Sequence, residues 1–446
     1  MKYSLLRLSV LALLLAIKTV VFAETHEGGD NSTIDVHVET GGTLLNIIGT
    51  DNIDNIVNLK ISGVLNGTDI LCIRKMSNLK ELDISNVSII DGGQTYYKNY
   101  VTSKDKIGDC LFYHLESLQK VILPNSVTSI GDSSFAGCRN LNYVFIPNSV
   151  VSIGYCAFGG CSKLSSIIIP NSVESMGTHV FIDCFDLASV TIGNGLTSIE
   201  PATFSYCTNL SYIEIPNNIK SIGGDAFAYC GNLTSVSIPS SVQSIGSFAF
   251  ADCSSLMSVT IPNSVTVLGA RAFENCSSLK EISLPNNIST ICYRTFCNCS
   301  SLTSVSIPNS VTTIEESAFY MCSSLRSVTL SNSLTSIGYA SFWNCYNLDI
   351  ITSLNPVPPI ISDIFPLVTY NDATLYVPKE SKNLYWLHPY WEKFKHIEEI
   401  EVSSINSTFI DAESESSIYN LNGTKVDGSS IVKGVYIRNE KKIIIK

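Results

Sequence analysis

The distribution of apolar residues along the chain repeats every 23 positions between Phe135 and Leu348, as the step from Cys138 to Cys161 illustrates. Each period carries a phenylalanine, a cysteine three positions later and a leucine three positions after that. The phenylalanines are Phe135, Phe158, Phe181, Phe204, Phe227, Phe250, Phe273, Phe296, Phe319 and Phe342. The cysteines are Cys138, Cys161, Cys184, Cys207, Cys230, Cys253, Cys276, Cys299, Cys322 and Cys345. Because the period holds without an insertion, we expect each copy to form one coil of a solenoid.

Within one copy, the pattern predicts a short strand followed by two bends. Val144 and Ile146 alternate with polar or variable positions, which is the period of a strand that points every second side chain inward. Pro147 ends this strand because it has no N–H to offer the neighbouring coil, and Gly154 supplies the second bend. In two copies Gly193 and Ser331 replace the proline. The next apolar residues have the spacing of a short helical turn: Ala157, Phe158 and Cys161.

Outside the regular copies, the pattern predicts caps at both ends. Residues 1–23 have the basic, apolar and small-residue segments of a secretory signal peptide. Residues 24–108 are predicted to be an N-terminal cap with degenerate repeats, because a first coil would otherwise expose a core face. This cap carries a polar insertion that either packs against the cap or forms a binding loop through its aromatic residues: Tyr96, Tyr97 and Tyr100.

After the solenoid, which we place at residues 109–355, the period fails. Residues 356–400 are predicted to form a C-terminal cap, with a last strand over 373–378 and a helix suggested by the spacing of its aromatic residues: Trp386, Tyr390, Trp391 and Phe394. A sugar-binding platform built from Trp386 and Trp391 is the alternative for this region. Residues 401–416 are predicted to be a linker, and residues 417–446 a small β tail with a turn near Asn439.

The net charge and the absence of known catalytic motifs argue against several classes of function. The net charge is −11 and only 15% of residues are charged, against about 25% in typical domains. This balance argues against nucleic acid, which requires a clustered basic face, and against electrostatic attachment to anionic lipid. None of the six histidines falls in a metal or nucleophile motif, so we predict no catalytic residues, no cofactor and no metal. An enzyme whose site is assembled only in three dimensions is the alternative.

The fifteen cysteines of a chain with a signal peptide suggest disulfides at first sight. Equivalent residues in neighbouring coils, however, have parallel Cα–Cβ vectors about 4.8 Å apart, whereas a disulfide requires Cβ atoms about 3.8 Å apart that turn toward each other. We therefore predict a stack of small, buried, free thiols. The cluster of Cys292, Cys297 and Cys299 suggests a metal only weakly, and Cys156 lies outside the stack.

The repeat L-x-x-V-x-I-P-N-S-V-x-x-I-G-x-x-A-F-x-x-C resembles the BspA-like class of leucine-rich repeats, known from bacterial surface proteins. The resemblance implies an α/β repeat solenoid: a right-handed leucine-rich repeat with 23-residue coils, a parallel sheet on the concave face and short helical turns on the other side. The tail is similar to the C-terminal sorting tails of proteins exported by the type IX system of Bacteroidetes. The matching residues are Asn422-Gly423, Gly434-Val435-Tyr436 and Lys446.

The same resemblance implies a secreted or surface-associated protein that binds host matrix glycoproteins or other cells without catalysis. A polysaccharide ligand is the alternative within binding, and no transmembrane segment is expected once the signal peptide is removed. The outward positions of the predicted strands are mostly Ser and Thr, but five differ and are our candidate ligand-binding residues: Tyr143, Phe145, Ile168, Tyr212 and Glu214. Burial of the aromatic residues under the N-terminal insertion is the alternative.

Overall fold

The computed structural model describes residues 33–401 and the backbone of four short strands between residues 418 and 445. The predicted signal peptide and most of the predicted linker lie outside the described residues. Contacts divide the chain into two compact units, one ending at Ser175 and the other beginning at Met176. Both units are built from coils that pair side by side through parallel strands, as a solenoid requires.

The first unit begins with three long strands and two short helices: β1 (Thr33–Val38), α1 (Leu44–Ile48), a 3-10 helix (Thr50–Asn55), β2 (Asn58–Leu65), α2 (Gly67–Ile73) and β3 (Glu81–Ile89). The insertion forms an antiparallel hairpin, β4 (Gly92–Tyr97) and β5 (Tyr100–Thr102). The regular coils then add β6 (Lys106–Ile107), β7 (Lys120–Ile122), β8 (Ser129–Ile130), β9 (Tyr143–Phe145), β10 (Ser152–Ile153), β11 (Ser166–Ile169) and β12 (Ser175–Met176).

Two parallel sheets run through this unit. The first has the strand order β1-β2-β3-β7-β9, and the second has the order β6-β8-β10-β12. The predicted degenerate strands are confirmed, because Leu59, Leu82 and Val121 are paired in register and buried. Asp69 secures the cap: its buried carboxylate accepts hydrogen bonds from the N–H groups of Gly42 (2.6 Å), Leu44 (2.9 Å) and Asn66 (2.9 Å). An aspartate at this position completes the N-terminal cap of α2.

The second unit alternates in the same way between longer and shorter strands: β13 (Ser189–Ile192), β14 (Ser198–Ile199), β15 (Tyr212–Glu214), β16 (Ser221–Ile222), β17 (Ser235–Ser237), β18 (Ser244–Ile245), β19 (Ser258–Thr260), β20 (Val267–Leu268), β21 (Glu281–Ser283), β22 (Thr290–Ile291), β23 (Ser304–Ser306), β24 (Thr313–Ile314), β25 (Ser327–Leu330), β26 (Ser336–Ile337), β27 (Ile350–Ser353) and β28 (Ile360–Ile361). Three parallel sheets in this unit have the orders β15-β17-β19-β21, β14-β16-β18-β20 and β22-β24-β26-β28.

The C-terminal cap continues with α3 (Leu367–Asp372), β29 (Thr374–Pro378), α4 (Lys382–Trp386), a 3-10 helix (Trp391–Lys393) and β30 (His396–Ile400). β29 confirms the predicted last strand, and it completes the sheet β23-β25-β27-β29-β30. The single cap helix predicted from the aromatic spacing is wrong, because α4 ends at Trp386 and a separate 3-10 turn begins at Trp391. The chain bends between them so that Trp391 and Phe394 can enter the core.

The interior of each unit is a stack of phenylalanine rings. In the second unit the rings of Phe204 and Phe227 are parallel within 13°, with centroids 5.5 Å apart, and those of Phe319 and Phe342 are parallel within 3° at 5.3 Å. The stack extends one period beyond the predicted ladder, because Phe365 lies 5.4 Å from Phe342. Such offset stacking of fully buried rings adds to the area that each ring removes from water.

The segment that follows the glycine differs in one detail from the expected short helix. It is a series of hydrogen-bonded turns, in which Ser134 N–H donates to Gly131 O and Cys138 N–H donates to Phe135 O. Ser133 and Gly137, the third residues of these turns, have φ of 51° and 76°, as in type II turns. The intervening N–H of Phe135 donates to Ala157 O in the next coil. An α-helix would direct these N–H groups along its own axis, so the turns are what allows the coils to bond to each other on this side.

Gly246 lies where two coils approach each other closely. A Cβ atom added to Gly246 would lie 2.5 Å from the backbone nitrogen of Gly224 in the preceding coil.

At the C-terminus, β31 (Ile418–Asn420), β32 (Lys425–Val426), β33 (Gly434–Arg438) and β34 (Lys441–Ile445) form an antiparallel sheet in the order β32-β31-β33-β34. The predicted β tail is therefore larger than a single strand pair, since β33 pairs with β34 and also with β31. The predicted turn near Asn439 lies outside the described residues.

Candidate ligand-binding site

The strand face of the first unit carries an exposed apolar patch formed by Tyr143, Phe145 and Ile168. In β9, Val144 is buried while Tyr143 and Phe145 are 47% and 45% exposed. Ile168 in β11 is 67% exposed, because it also occupies an outward position of its strand. The prediction that these side chains point away from the core is confirmed. We call these three residues the apolar patch.

The alternative, in which the insertion buries this patch, is wrong. The hairpin β4–β5 packs against α2 and the neighbouring turns, where the Tyr96 hydroxyl donates to Asp109 O at 2.8 Å. The Tyr97 ring packs at a tilt of 50° against Tyr113 with centroids 5.3 Å apart, and the Arg74 guanidinium lies 4.9 Å from the Tyr97 ring. Tyr96 is 3% exposed, so desolvation raises the pKa of its phenol. The insertion is therefore largely packed against the cap, with Tyr100 still partly exposed.

Charged side chains lie on the same sheet as β9 of the apolar patch. Lys120, which is paired in register with Tyr143, forms an ion pair of 3.4 Å with Glu81. Lys60 and Asp35 form a second pair at 3.1 Å. Because all four side chains are about half exposed, these pairs contribute little to folding, roughly 0–1 kcal/mol each. The Lys120–Glu81 pair places polar groups of both signs at one edge of the apolar patch, whereas Lys60 and Asp35 lie three and four strands away from β9.

In the second unit, β15 presents the other two candidate residues. Tyr212 is 52% exposed, Glu214 is also exposed, and the two flank the buried Ile213. Their register partners on β17 are the exposed serines Ser235 and Ser237. The structure therefore brings Tyr143, Phe145 and Ile168 together in one unit, and Tyr212 and Glu214 together in the other. That all five serve one ligand stays a prediction.

The tryptophan platform predicted as an alternative for the C-terminal cap is wrong. Trp391 is completely buried, and its indole N–H donates to Pro359 O at 2.9 Å. Its ring contacts Phe365 and Tyr385, with centroids 6.2 Å and 5.4 Å away. Only Trp386 remains exposed, and Lys382 lies 4.9 Å from its ring. Helical spacing alone gave no sign that one tryptophan faces the core and the other faces solvent.

All fifteen cysteines are free thiols in the structure. The ladder cysteines are buried, as predicted, but they also form a hydrogen-bond series that the sequence analysis missed. Along the ladder, Sγ–H groups donate to the carbonyl of a phenylalanine in the preceding coil, for example Cys230 to Phe204 O at 3.2 Å and Cys253 to Phe227 O at 3.2 Å. The recurrence of cysteine rather than alanine or valine was the available signal. A thiol fills this small space and also supplies a weak donor to an otherwise half-satisfied carbonyl.

Burial strongly affects the chemistry of these thiols. Desolvation raises the pKa of Cys230 to about 12, and it raises the pKa of Cys138 and Cys345 to about 12 as well. The thiolate is the reactive form of cysteine, so the ladder is chemically inert at neutral pH. In the described part of the chain, no three His, Cys, Asp or Glu side chains converge as they would around a metal ion.

Comparison with known proteins identifies a related family. A model of the BspA type leucine-rich repeat region matches six copies over residues 105–234 and 220–349. None of the curated proteins compared with the chain matches it significantly. Over the described residues, no helix has both the length and the apolar character needed to cross a bilayer.

The chain is similar to several solved structures. A leucine-rich repeat protein from Bacteroides ovatus is 22% identical, with a TM-score of 0.50 over 84% of this chain and 97% of that one. A leucine-rich cell surface protein from Faecalibacterium prausnitzii is 27% identical, with a TM-score of 0.38 over 61% of this chain and 87% of that one. A leucine-rich repeat protein from Eubacterium ventriosum is 21% identical, with a TM-score of 0.42 over 72% of this chain and 86% of that one.

Proposed function

Since the chain belongs to the family of BspA-type leucine-rich repeat proteins, we propose that it is a secreted or surface-displayed protein that binds a protein or glycoprotein ligand. Adhesion to host matrix or to other cells is the form of binding that we propose. The observation that carries the proposal is the exposed apolar patch of Tyr143, Phe145 and Ile168. A solvated cluster of two aromatic side chains and an isoleucine is costly to leave in water, and such clusters are typical anchors of protein interfaces.

The surroundings of the apolar patch support a protein partner. Energetically important interface residues are usually aromatic, lie at the centre of the contact and are enclosed by polar residues. The Lys120–Glu81 pair supplies such a polar margin beside Tyr143, and the Lys60–Asp35 pair lies farther along the same sheet. Because they carry both signs of charge, we expect the binding to depend only weakly on salt.

The test is the double substitution Tyr143→Ser with Phe145→Thr, which gives β9 the outward residues of the serine- and threonine-bearing strands. We expect it to weaken ligand binding at least tenfold, because each truncated anchor commonly costs more than about 1 kcal/mol. The measurement is surface binding of the purified protein to a panel of matrix glycoproteins and to cells. The denaturation midpoint should stay nearly unchanged, since both side chains are about half exposed.

The matched control is Tyr155→Ser with Val151→Thr, which removes side chains that are 50% and 41% exposed on another surface of the same unit. Full binding by the Tyr143/Phe145 variant would refute the proposal. Equal loss of binding in both variants would also refute it, because the effect would then not depend on the apolar patch.

We also propose that residues 417–446 direct export to the cell surface. The similarity of Asn422-Gly423, Gly434-Val435-Tyr436 and Lys446 to type IX sorting tails supports this role. A chain that lacks residues 417–446 should accumulate in the periplasm of a type IX-competent host, as followed by fractionation. Normal surface display of the truncated chain would remove the role from the tail.

A further inference from the structure

The second unit contains a groove whose lining differs in kind from the apolar patch. It lies along β13, β15 and β17, where these strands run into the turns that follow them. Its volume is about 860 Å³, within the range of roughly 300–1,000 Å³ that is common for small-molecule sites. The residues that line it are Val190, Thr191, Ile192, Asn194, Tyr212, Glu214, Ile215, Pro216, Asn217, Asn218, Ser237 and Pro239.

One aromatic ring stands above short neighbours in this groove. Tyr212 is 52% exposed, its partner in register on β17 is Ser235, and the corresponding outward residue of β13 is Ser189. Both serines are too short to cover a phenol ring. The ring therefore offers an open face together with a hydroxyl, unlike Tyr206 and Tyr229 on another surface, whose rings stack on each other with centroids 4.3 Å apart.

Hydrogen-bonding groups surround the ring. Asn194 and Asn217 supply amide groups, and Thr191 and Ser237 supply hydroxyls. The Asn218 amide supports the wall of the groove, because its Nδ2 donates to Asn194 O at 2.9 Å in the preceding turn and also to Leu196 O. That turn contains Gly193, where most coils have proline. Amides and hydroxyls both donate and accept hydrogen bonds, so they match a ligand that is dense in hydroxyl groups.

The charge in the lining of the groove is negative. Of the described residues that line it, Glu214 is the only one with a charged side chain at neutral pH, and it is exposed two positions from Tyr212. A carboxylate accepts hydrogen bonds from hydroxyls but repels another anion. The groove is therefore suited to a neutral ligand and disfavours one that carries carboxylate or sulfate groups.

We infer that the groove at Tyr212 and Glu214 binds an uncharged saccharide. The C–H face of a sugar ring packs against the open face of Tyr212, where the negative π surface attracts C–H groups. Sugar hydroxyls then bond to Glu214 and to the surrounding amides. A protein interface would instead use several contiguous apolar side chains, as the apolar patch of the first unit provides. The saccharide belongs to either a free polysaccharide or a glycoprotein glycan, which present the same chemistry.

The experiment is a glycan array that holds neutral polysaccharide fragments, neutral N- and O-linked glycans, and sialylated, uronate-bearing and sulfated glycans. We expect the full-length protein to bind neutral glycans and to reject the acidic ones. Tyr212→Ser should weaken that binding at least tenfold. Tyr339→Ser is the matched control, because Tyr339 is 57% exposed in the same unit and does not line the groove.

Glu214→Gln tests the charge of this side chain at constant size, since the amide removes the repulsion between Glu214 and an acidic glycan. This variant should keep at least part of the neutral-glycan binding and should gain measurable binding to acidic glycans. If Tyr212→Ser lowers the denaturation midpoint, Tyr212→Thr replaces it, because threonine has a higher strand propensity. Whether fragments or glycoprotein glycans bind more tightly identifies the source of the ligand.

The inference is overturned if no neutral glycan binds at millimolar concentration, or if Tyr212→Ser and Tyr339→Ser behave alike. Preferential binding of acidic glycans by the unaltered protein also overturns it. Loss of glycan binding in the Tyr143/Phe145 variant would overturn it too, because the glycan would then bind at the apolar patch. Because that variant alters the other unit, failure of this inference and failure of the proposed protein binding are distinguishable.

Discussion

The strand faces of the two units are built on the same interior but present different surfaces. In the first unit, β9 and β11 expose Tyr143, Phe145 and Ile168. In the second unit, the corresponding positions of β17 and β19 are short and polar: Ser235, Ser237, Ser258 and Thr260. Between these outward positions the inward ones hardly change, with Val144, Val236 and Val259 all buried. The solenoid thus separates the residues that carry stability from those that can vary to form a binding surface.

This separation predicts that changes to the interior greatly lower the free energy of unfolding, whereas changes to outward positions alter binding. Because each coil contacts only its neighbours, an interior change should act locally and should then spread as the stack unfolds. The predictions below test this contrast, from the largest expected effect on stability to the smallest.

The largest effect should come from alkaline pH, which acts on the thiol ladder of both units together. Burial raises the pKa of Cys230 to about 12 and that of Cys253 well above its ordinary value of 9.0. Above pH 9.0 the unfolded chain releases thiol protons that the folded chain retains, so the thiol contribution to the free energy of unfolding is fully present below pH 9.0 and is lost as pH rises toward 12. Each buried thiol contributes about 1.4 kcal/mol per pH unit in that window.

The measurement is urea denaturation followed by circular dichroism between pH 7 and pH 11, with reductant present. A midpoint that stays constant up to pH 11 would contradict the buried-thiol ladder. As a further check, alkylation without reductant should modify at least ten thiols per chain after denaturation. Resistance of most of them until reductant is added would show that they form disulfides.

The next effect should come from a single ring of the phenylalanine stack. Phe227→Ala removes contacts with Phe204 and Phe250, whose centroids lie 5.5 Å and 5.2 Å away, and leaves a cavity between two coils. We expect a loss of about 3–5 kcal/mol in the free energy of unfolding. The matched control is Ser235→Tyr, on the outward face of the next strand, which should change stability by less than about 0.5 kcal/mol. Equal midpoints for the two variants would contradict the contrast between interior and surface.

The smallest of the three effects should come from Cys230→Ser. The hydroxyl keeps a donor for Phe204 O, but its shorter bond to Cβ places the oxygen farther from that carbonyl and puts a more polar group in an apolar stack. We expect a loss of about 1–3 kcal/mol, measured by denaturation under reducing conditions. Cys230→Ala separates the two contributions, because it removes the donor without adding polarity. A serine variant as stable as the parent would mean that the hydrogen bond matters more than the packing.

Sequence periodicity was sufficient to predict the coil, the parallel stacking and the inward residues. It was sufficient because 23 residues recur without insertion, and each recurring residue meets its equivalent in the next coil. The same arithmetic would have added Phe365 and Phe112 to the ladder, since each lies one period from a ladder residue and its ring packs against that residue's ring. Periodicity could not give the thiol-to-carbonyl bonds, because it contains no information on how one coil is offset from the next.

The sequence by itself therefore determined the repeating interior, and with it the family and the positions that face solvent. Only the tertiary structure decided which aromatic side chains are exposed to solvent. It buried Trp391 while leaving Trp386 exposed, and it placed the insertion with Tyr96 against the cap, away from Tyr143 and Phe145. It also grouped Tyr212 and Glu214 with the asparagines of neighbouring turns in one groove. The physical reason is that inward positions are dictated by contacts that repeat, whereas the exposure of a surface side chain depends on non-repeating segments whose path no local pattern specifies.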